Sequence, residues 1–169
     1  MRDLIGVGLA LFLGVIGIFL AYGVFGSANT NSQIQETFVE LQQARTEMAS
    51  YAAQNGGYGA TAFTATQIKA LGLLPFQALS GAATVNQWRG TIAITGNNTN
   101  FFADYTNLDA SSCARLLVKT PASAGVSGIA VATSSAGLSA AAVNAVPVSA
   151  ATATAACTGT MAVRFVVSG

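Results

Sequence analysis

Residues 4–25 read LIGVGLALFLGVIGIFLAYGVF, with no charged side chain between Asp3 and Glu36. As a helix this run extends about 33 Å, enough to cross a hydrocarbon core of about 30 Å. It is longer than the apolar stretch of a secretory signal, and Met-Arg-Asp lacks the net positive charge of a signal's start. Residues 26–28 (Gly-Ser-Ala) are small enough for a cleavage site, so a removed signal stands as the alternative. The reading is a retained membrane-spanning helix, with Arg2 on the cytoplasmic side and everything after Phe25 outside. Gly6, Gly8, Gly14, Gly17 and Gly23 interrupt it. Each glycine costs a helix about 1 kcal/mol relative to alanine, which points to close helix–helix approach or to a stretch that unwinds easily around Gly14 and Gly17.

Composition narrows what the rest can do. Only 8% of the 169 residues are charged, against about 25% in an ordinary soluble domain. Seven basic residues (Arg2, Arg45, Lys69, Arg89, Arg115, Lys119, Arg164) are scattered without a stripe, so direct nucleic-acid binding by one chain is not expected. Histidine is absent. Ser-His-Asp and Cys-His catalysis are thereby removed, and the commonest zinc ligand with them. No phosphate-binding glycine loop occurs, and the acids are isolated. The expectation is a protein that is not an enzyme and needs no cofactor or metal. Cys113 and Cys157 lie far apart with no metal-ligand spacing. In an exported domain such a pair forms one disulfide, stabilising the fold by about 4 kcal/mol on chain-entropy grounds. In a reducing compartment they would be two buried thiols.

Beyond the apolar run, Ser32 and Gln35 fit a capping box, so either a second helix starts there or one helix runs through. Ile34, Phe38, Leu41, Met48 and Tyr51 recur at helical steps, with Ala44 and Ala52 on the same face. Glu36, Gln43, Glu47 and Ser50 fall elsewhere, and Asn55-Gly56-Gly57 supplies a stop. A Gly/Ala/Thr-rich connection follows, with a short helix over 65–71. Residues 91–95 and 101–105 flank a Gly-Asn-Asn-Thr-Asn turn and read as a β-hairpin. Asp109 caps a helix over 110–119, closed by Pro121. Residues 128–133 read as a strand, 134–156 as a weakly specified Ala/Ser/Thr loop with one helical turn before Cys157, and 161–167 as a final strand.

This order resembles a type IV pilin. The segment LDASSCARLL, residues 108–117, resembles the surroundings of the first cysteine in type IVb pilins such as the bundle-forming and toxin-coregulated pilins. Residues 155–160 (AACTGT), followed by a terminal strand, resemble those of the second. Residues 86–90 (NQWRG) sit where such pilins carry a turn before the hairpin. The resemblance implies an α+β fold, a long hydrophobic N-terminal helix packed on a small antiparallel sheet with a C-terminal disulfide-bounded region. It divides the chain into a filament-core helix (1–26), its amphipathic half (27–55) and a globular head (56–169), the head comprising a connecting loop (56–90) and a sheet-and-disulfide region (91–169).

The same resemblance implies a major subunit of a type IVb pilus. Its partners would be identical copies in a helical filament, the inner membrane before assembly, the assembly machinery, and a host or recipient cell surface. Its place would be the extracellular filament, with an inner-membrane pool. Leu4, Leu11, Gly14, Gly17 and Leu20 would pack the filament core, and the stretch from 14 to 17 would lose helical hydrogen bonds there. One departure stands out: these pilins carry Glu at the fifth mature position, and here the residue is Ile5. With no leader before Met1, the sequence reads as a processed chain in which Met1, Arg2 and Asp3 form a charge-pairing group, Asp3 offering its carboxylate to a neighbour's amino terminus, or else Arg2 and Asp3 are solvated at the membrane face. Alternatives are a minor pilin, a type II secretion pseudopilin, or a membrane-anchored periplasmic binding module. The pseudopilin lacks support from an acidic calcium cluster, since Asp104 and Asp109 are the only carboxylates of the C-terminal half.

Overall fold

The structure, a computed structural model, describes residues 2–75, 78–80, 83–121 and 125–168, with side chains from residue 29 onward except Ser80. Two compact units make up the chain, Met1–Gln33 and Ile34–Gly169. The first carries the start of helix α1 (Arg2–Asn55), whose backbone is helical without a break through positions 14, 17 and 32. The Ser32 capping signal is therefore overridden, and one helix runs through.

In the second unit α1 presents Ile34, Leu41, Ala44 and Met48 to the core, each at most 1% exposed. Phe38 and Ala52 pack against its edge. The helix ends as its sequence requires. Gly56 (φ +74°) takes the left-handed position, and Gly57 N donates to Ala52 O at 3.0 Å, closing a Schellman-type cap.

The core is shared with a five-stranded antiparallel sheet, built from β3 (Ile92–Asn97), β4 (Asn100–Leu108), β5 (Val126–Ala132), β6 (Val143–Asn144) and β7 (Met161–Ser168) in the order β3-β4-β7-β5-β6. The C-terminal strand lies at the centre, between β4 and β5. Its alternation puts Met161, Val163, Phe165 and Val167 in the core, and the ring of Phe165 meets Tyr105 edge-on at 5.7 Å. On the other face Arg164 pairs with Asp104 through two 2.7 Å hydrogen bonds and lies 4.7 Å from the centroid of the Phe102 ring. Before the sheet come α2 (Ala65–Ala70), with a Thr64–Gln67 capping box, and a small hairpin of β1 (Leu79–Ser80) and β2 (Ala83–Thr84) that the sequence reading did not anticipate.

The segment read as a weakly specified loop is more ordered than its composition suggests. It holds a 3-10 helix (Ser135–Ser139), the edge strand β6, and α4 (Ala150–Ala156) capped by Ser149. Leu138, Val148 and Ala153 anchor it in the core. Helix α3 (Ala110–Lys119) starts at Asp109 as expected, with its carboxylate accepting from Ser111 N and Ser112 N.

Two glycines sit where no side chain fits. A Cβ at Gly96 would lie 1.9 Å from Tyr58 O, because residues 57–63 run along the β3 edge. Phe63 N donates to Ile94 O and Gly96 N to Thr61 O in that contact, so the connecting loop occupies an edge otherwise open to strand addition. A Cβ at Gly90 would lie 2.0 Å from Thr106 O. Gly90→Ala and Gly96→Ala should each lower stability by about 1–3 kcal/mol, since backbone must shift to admit a methyl group. Gly159→Ala, with nothing within 4 Å of its Cβ, should leave the melting temperature unchanged. Thermal unfolding of the full chain in detergent compares the three.

Candidate functional site

Helix α3 and the end of α4 are joined by the Cys113–Cys157 disulfide, with Cα atoms 5.8 Å apart. Cys113 is fully buried, facing the core beside Leu116 and Leu117. The loop it closes spans a sequence separation of 44. Within that loop α4 buries only Ala153, so packing holds it weakly and the covalent tie does the rest. Asp109 marks the entrance to α3. Burial pushes its carboxyl upward, but hydrogen bonds from Ser112 and Ser111 outweigh this and hold it below the usual range.

The turn of residues 86–90 is organised by one side chain. Asn86 Oδ1 accepts from Trp88 N at 3.0 Å and Gly90 N at 2.8 Å, while its Nδ2 donates to Thr106 O at 2.7 Å. Arg89 adopts φ +59°, and Asn107 Nδ2 donates to Trp88 O from the neighbouring strand. Asparagine is the residue able to accept twice and donate at once in so small a space, which explains why this position, singled out from sequence, precedes the hairpin.

Sequence reading missed a polar cluster beneath that turn. Glu40 lies on the buried side of α1, 3% exposed, and its Oε1 accepts from Gln87 Nε2 at 2.6 Å. Thr37, also buried, donates to Gln87 Oε1 at 3.4 Å. The Tyr105 hydroxyl lies beside the carboxylate, near enough to interact, but neither it nor Glu40 Oε2 completes a hydrogen bond of good geometry. Burial raises the Glu40 pKa to about 7, against the opposing effect of its Gln87 and Tyr105 contacts, and the charge of Glu36 adds to the rise. Tyr105 is pushed well above its usual range by its own burial and by Glu40. The signal was available in principle: Thr37 and Glu40 fall within the stripe defined by Ile34, Leu41, Ala44 and Met48, but a charged residue is read as solvated unless its partner is known.

The predicted assembly residues fall differently. Arg2, Asp3, Leu4, Leu11, Gly14, Gly17 and Leu20 lie on the α1 backbone, and their side chains, like Met1 as a whole, are outside the described residues. Among the described residues no helix is long and apolar enough to cross a membrane. Of the two carboxylates of the C-terminal half, Asp104 pairs with Arg164 and Asp109 caps α3.

Residues 31–168 match the family described as PilS N terminal. The chain is a type IV pilin of the PilS family. A solved type IV b pilin from Salmonella typhi superposes with a TM-score of 0.54 at 22% identity, covering 78% of this chain and 97% of that one. At that identity the likeness carries the fold, which is the type IVb one expected from the cysteine segments. No curated protein matches. The family is structural in kind, and its members assemble into pilus polymers.

Two predictions follow from the pilin head. Replacing Cys113 and Cys157 together by serine should remove about 4 kcal/mol on chain-entropy grounds, and limited proteolysis should then cut first within 133–157. For Glu40, the folded-state pKa near 7 exceeds the unfolded value near 4.5. The folded head therefore holds a proton that the unfolded chain has lost between these values. Its stability falls by a few kcal/mol as pH rises from about 4.5 to 7, then levels off. Glu40→Gln should flatten that slope and raise the melting temperature at pH 8, read by calorimetry across the range.

Proposed function

We propose that this pilin is the major structural subunit of a type IVb pilus. The observation that carries the reading is a conjunction: a pilin head follows directly from a helix whose first stretch, residues 4–25, carries no charge. Such a segment has two environments available. Before assembly it lies in the inner membrane with the head outside. In the filament, copies of it pack on one another through Leu4, Leu11, Gly14, Gly17 and Leu20, and lipid contacts are exchanged for contacts between subunits. Any apolar surface left in water would oppose this state by about 25 cal/mol per Å². Head-to-tail association that does not close produces a helical fibre.

Asp3, the acid that precedes the apolar stretch, takes the assembly role of an acidic residue. Its carboxylate pairs with a neighbour's amino terminus, flanked by Met1 and Arg2, in a low-dielectric setting that strengthens the attraction. The filament stands outside the cell, where contact with a host, a recipient or a sister cell is its task. An oxidising exterior suits the Cys113–Cys157 bond.

Shearing intact cells tests the reading. Filaments recovered from the medium should consist mainly of this chain, still carrying residues 4–25 and an intact disulfide, by mass spectrometry. Asp3→Ala should reduce their yield at least tenfold while leaving the membrane pool in place. A chain beginning near residue 29, or one found only as a trace within filaments of another subunit, would overturn the major-subunit reading.

A further inference from the structure

Four large apolar side chains stand exposed among the described residues, Val39, Leu71, Val118 and Val143. Two of these have charged neighbours of opposite sign. Val118, 42% exposed, lines an open groove of about 230 Å³ between α3 and α4, with Arg115 and Lys119 beside it and the small residues Ala114, Ala150 and Thr154 completing the walls. Val39, 58% exposed, stands on the outer face of α1, three residues from Glu36. At 100° per residue Glu36, Val39 and Glu47 fall within one face of that helix.

The other described carboxylates are engaged: Asp104 with Arg164, Asp109 with Ser111 and Ser112, Glu40 with Gln87. The exposed acids, Glu36 and Glu47, are thus on the helix face that also exposes its valine. The two faces also match in spacing. Acid and valine are three apart on α1. Base and valine are three apart on α3, with the second base one residue further. The alanines and threonine of the groove leave room for a helix to approach closely. Both valines are open in the single chain, so the two surfaces do not cover each other within it.

The geometry points to an interface between copies: Val39 of one subunit seats against Val118 in the α3–α4 groove of the next, and Glu36 meets Arg115 and Lys119. This rests on the filament reading above and adds to it which surfaces of the head meet. The contact is heterologous, each copy offering one face and receiving on another, so it propagates along a fibre. Being exposed at its rim, its charged part weakens in high salt.

A carbodiimide, which joins a carboxylate to an amine in contact with loss of one water, tests it on wild-type sheared filaments. Dimer bands should contain a Glu36–Lys119 amide, absent from detergent-dispersed subunits and reduced in 1 M salt. Glu36→Lys should cut filament yield at least about fivefold. Arg115→Glu with Lys119→Glu should do the same, and the three changes together should restore most of it. Cross-linked dimers joined elsewhere with no Glu36–Lys119 amide would overturn the interface while leaving the pilus intact. So would a Lys119 amide to a protein other than this chain, or an unaltered yield in Glu36→Lys. If wild-type cells shed no filaments of this chain, the pilus reading fails and takes the interface with it.

Discussion

The head depends on burying one stripe of α1 against the sheet. Ile34, Leu41, Ala44 and Met48 meet Tyr105, Phe165 and their neighbours in a single apolar cluster. A strand pair or a lone helix cannot bury such a surface by itself; each supplies the other's missing side. The placement of β7 at the sheet centre follows from the same need. The last residues of the chain form the strand flanked on both sides, so the sheet is complete only when the whole head has folded. The Arg164–Asp104 pair then fixes β7 against β4 on the face away from α1. Its bidentate geometry specifies register, since a slip of β7 by one residue would turn Arg164 toward the core and leave Asp104 without its partner.

What the sequence could disclose follows from how local each signal is. The α1 stripe, its glycine stop, the Asp109 cap and the hairpin at 97–100 are all written within a few residues of where they act, and each is observed. The residues between the cysteines were harder to read. Alanine, serine and threonine carry weak propensities, and the segment is held by distant partners: Leu138, Val148 and Ala153 are buried in the core to which β5 and β7 contribute. The small β1–β2 hairpin is local, with Val85 N donating to Ala78 O and the Thr84 hydroxyl to Ile92 O, but strands of two residues carry no alternation to read.

Glu40 illustrates the same limit at the level of one side chain. Its burial is decided by Gln87, nearly fifty residues later in the chain and itself positioned by the Asn86 turn. A carboxyl placed there is worse for stability than a well-packed apolar residue would be. What it adds is a specific link between α1 and the turn, made through Thr37, Gln87 and Glu40 together. The turn thus has two anchors, Thr106 and Asn107 on the sheet side and the α1 carboxyl on the other.

Low charge is the property that joins these pieces. Of the few ionisable groups described, Asp109 caps α3, Asp104 and Arg164 register the sheet, and Glu40 ties the turn to α1. The exposed charges are few and spread over the head, so in the proposed filament each contact between subunits involves only one or two of them. A surface dense in lysine and glutamate would offer many near-equivalent registers between subunits, each separated by a fraction of a kcal/mol. Isolated charges beside single exposed valines offer few. In the filament proposed above, sparse charge would select the register, while the uncharged start of α1 would supply the driving force without selecting it.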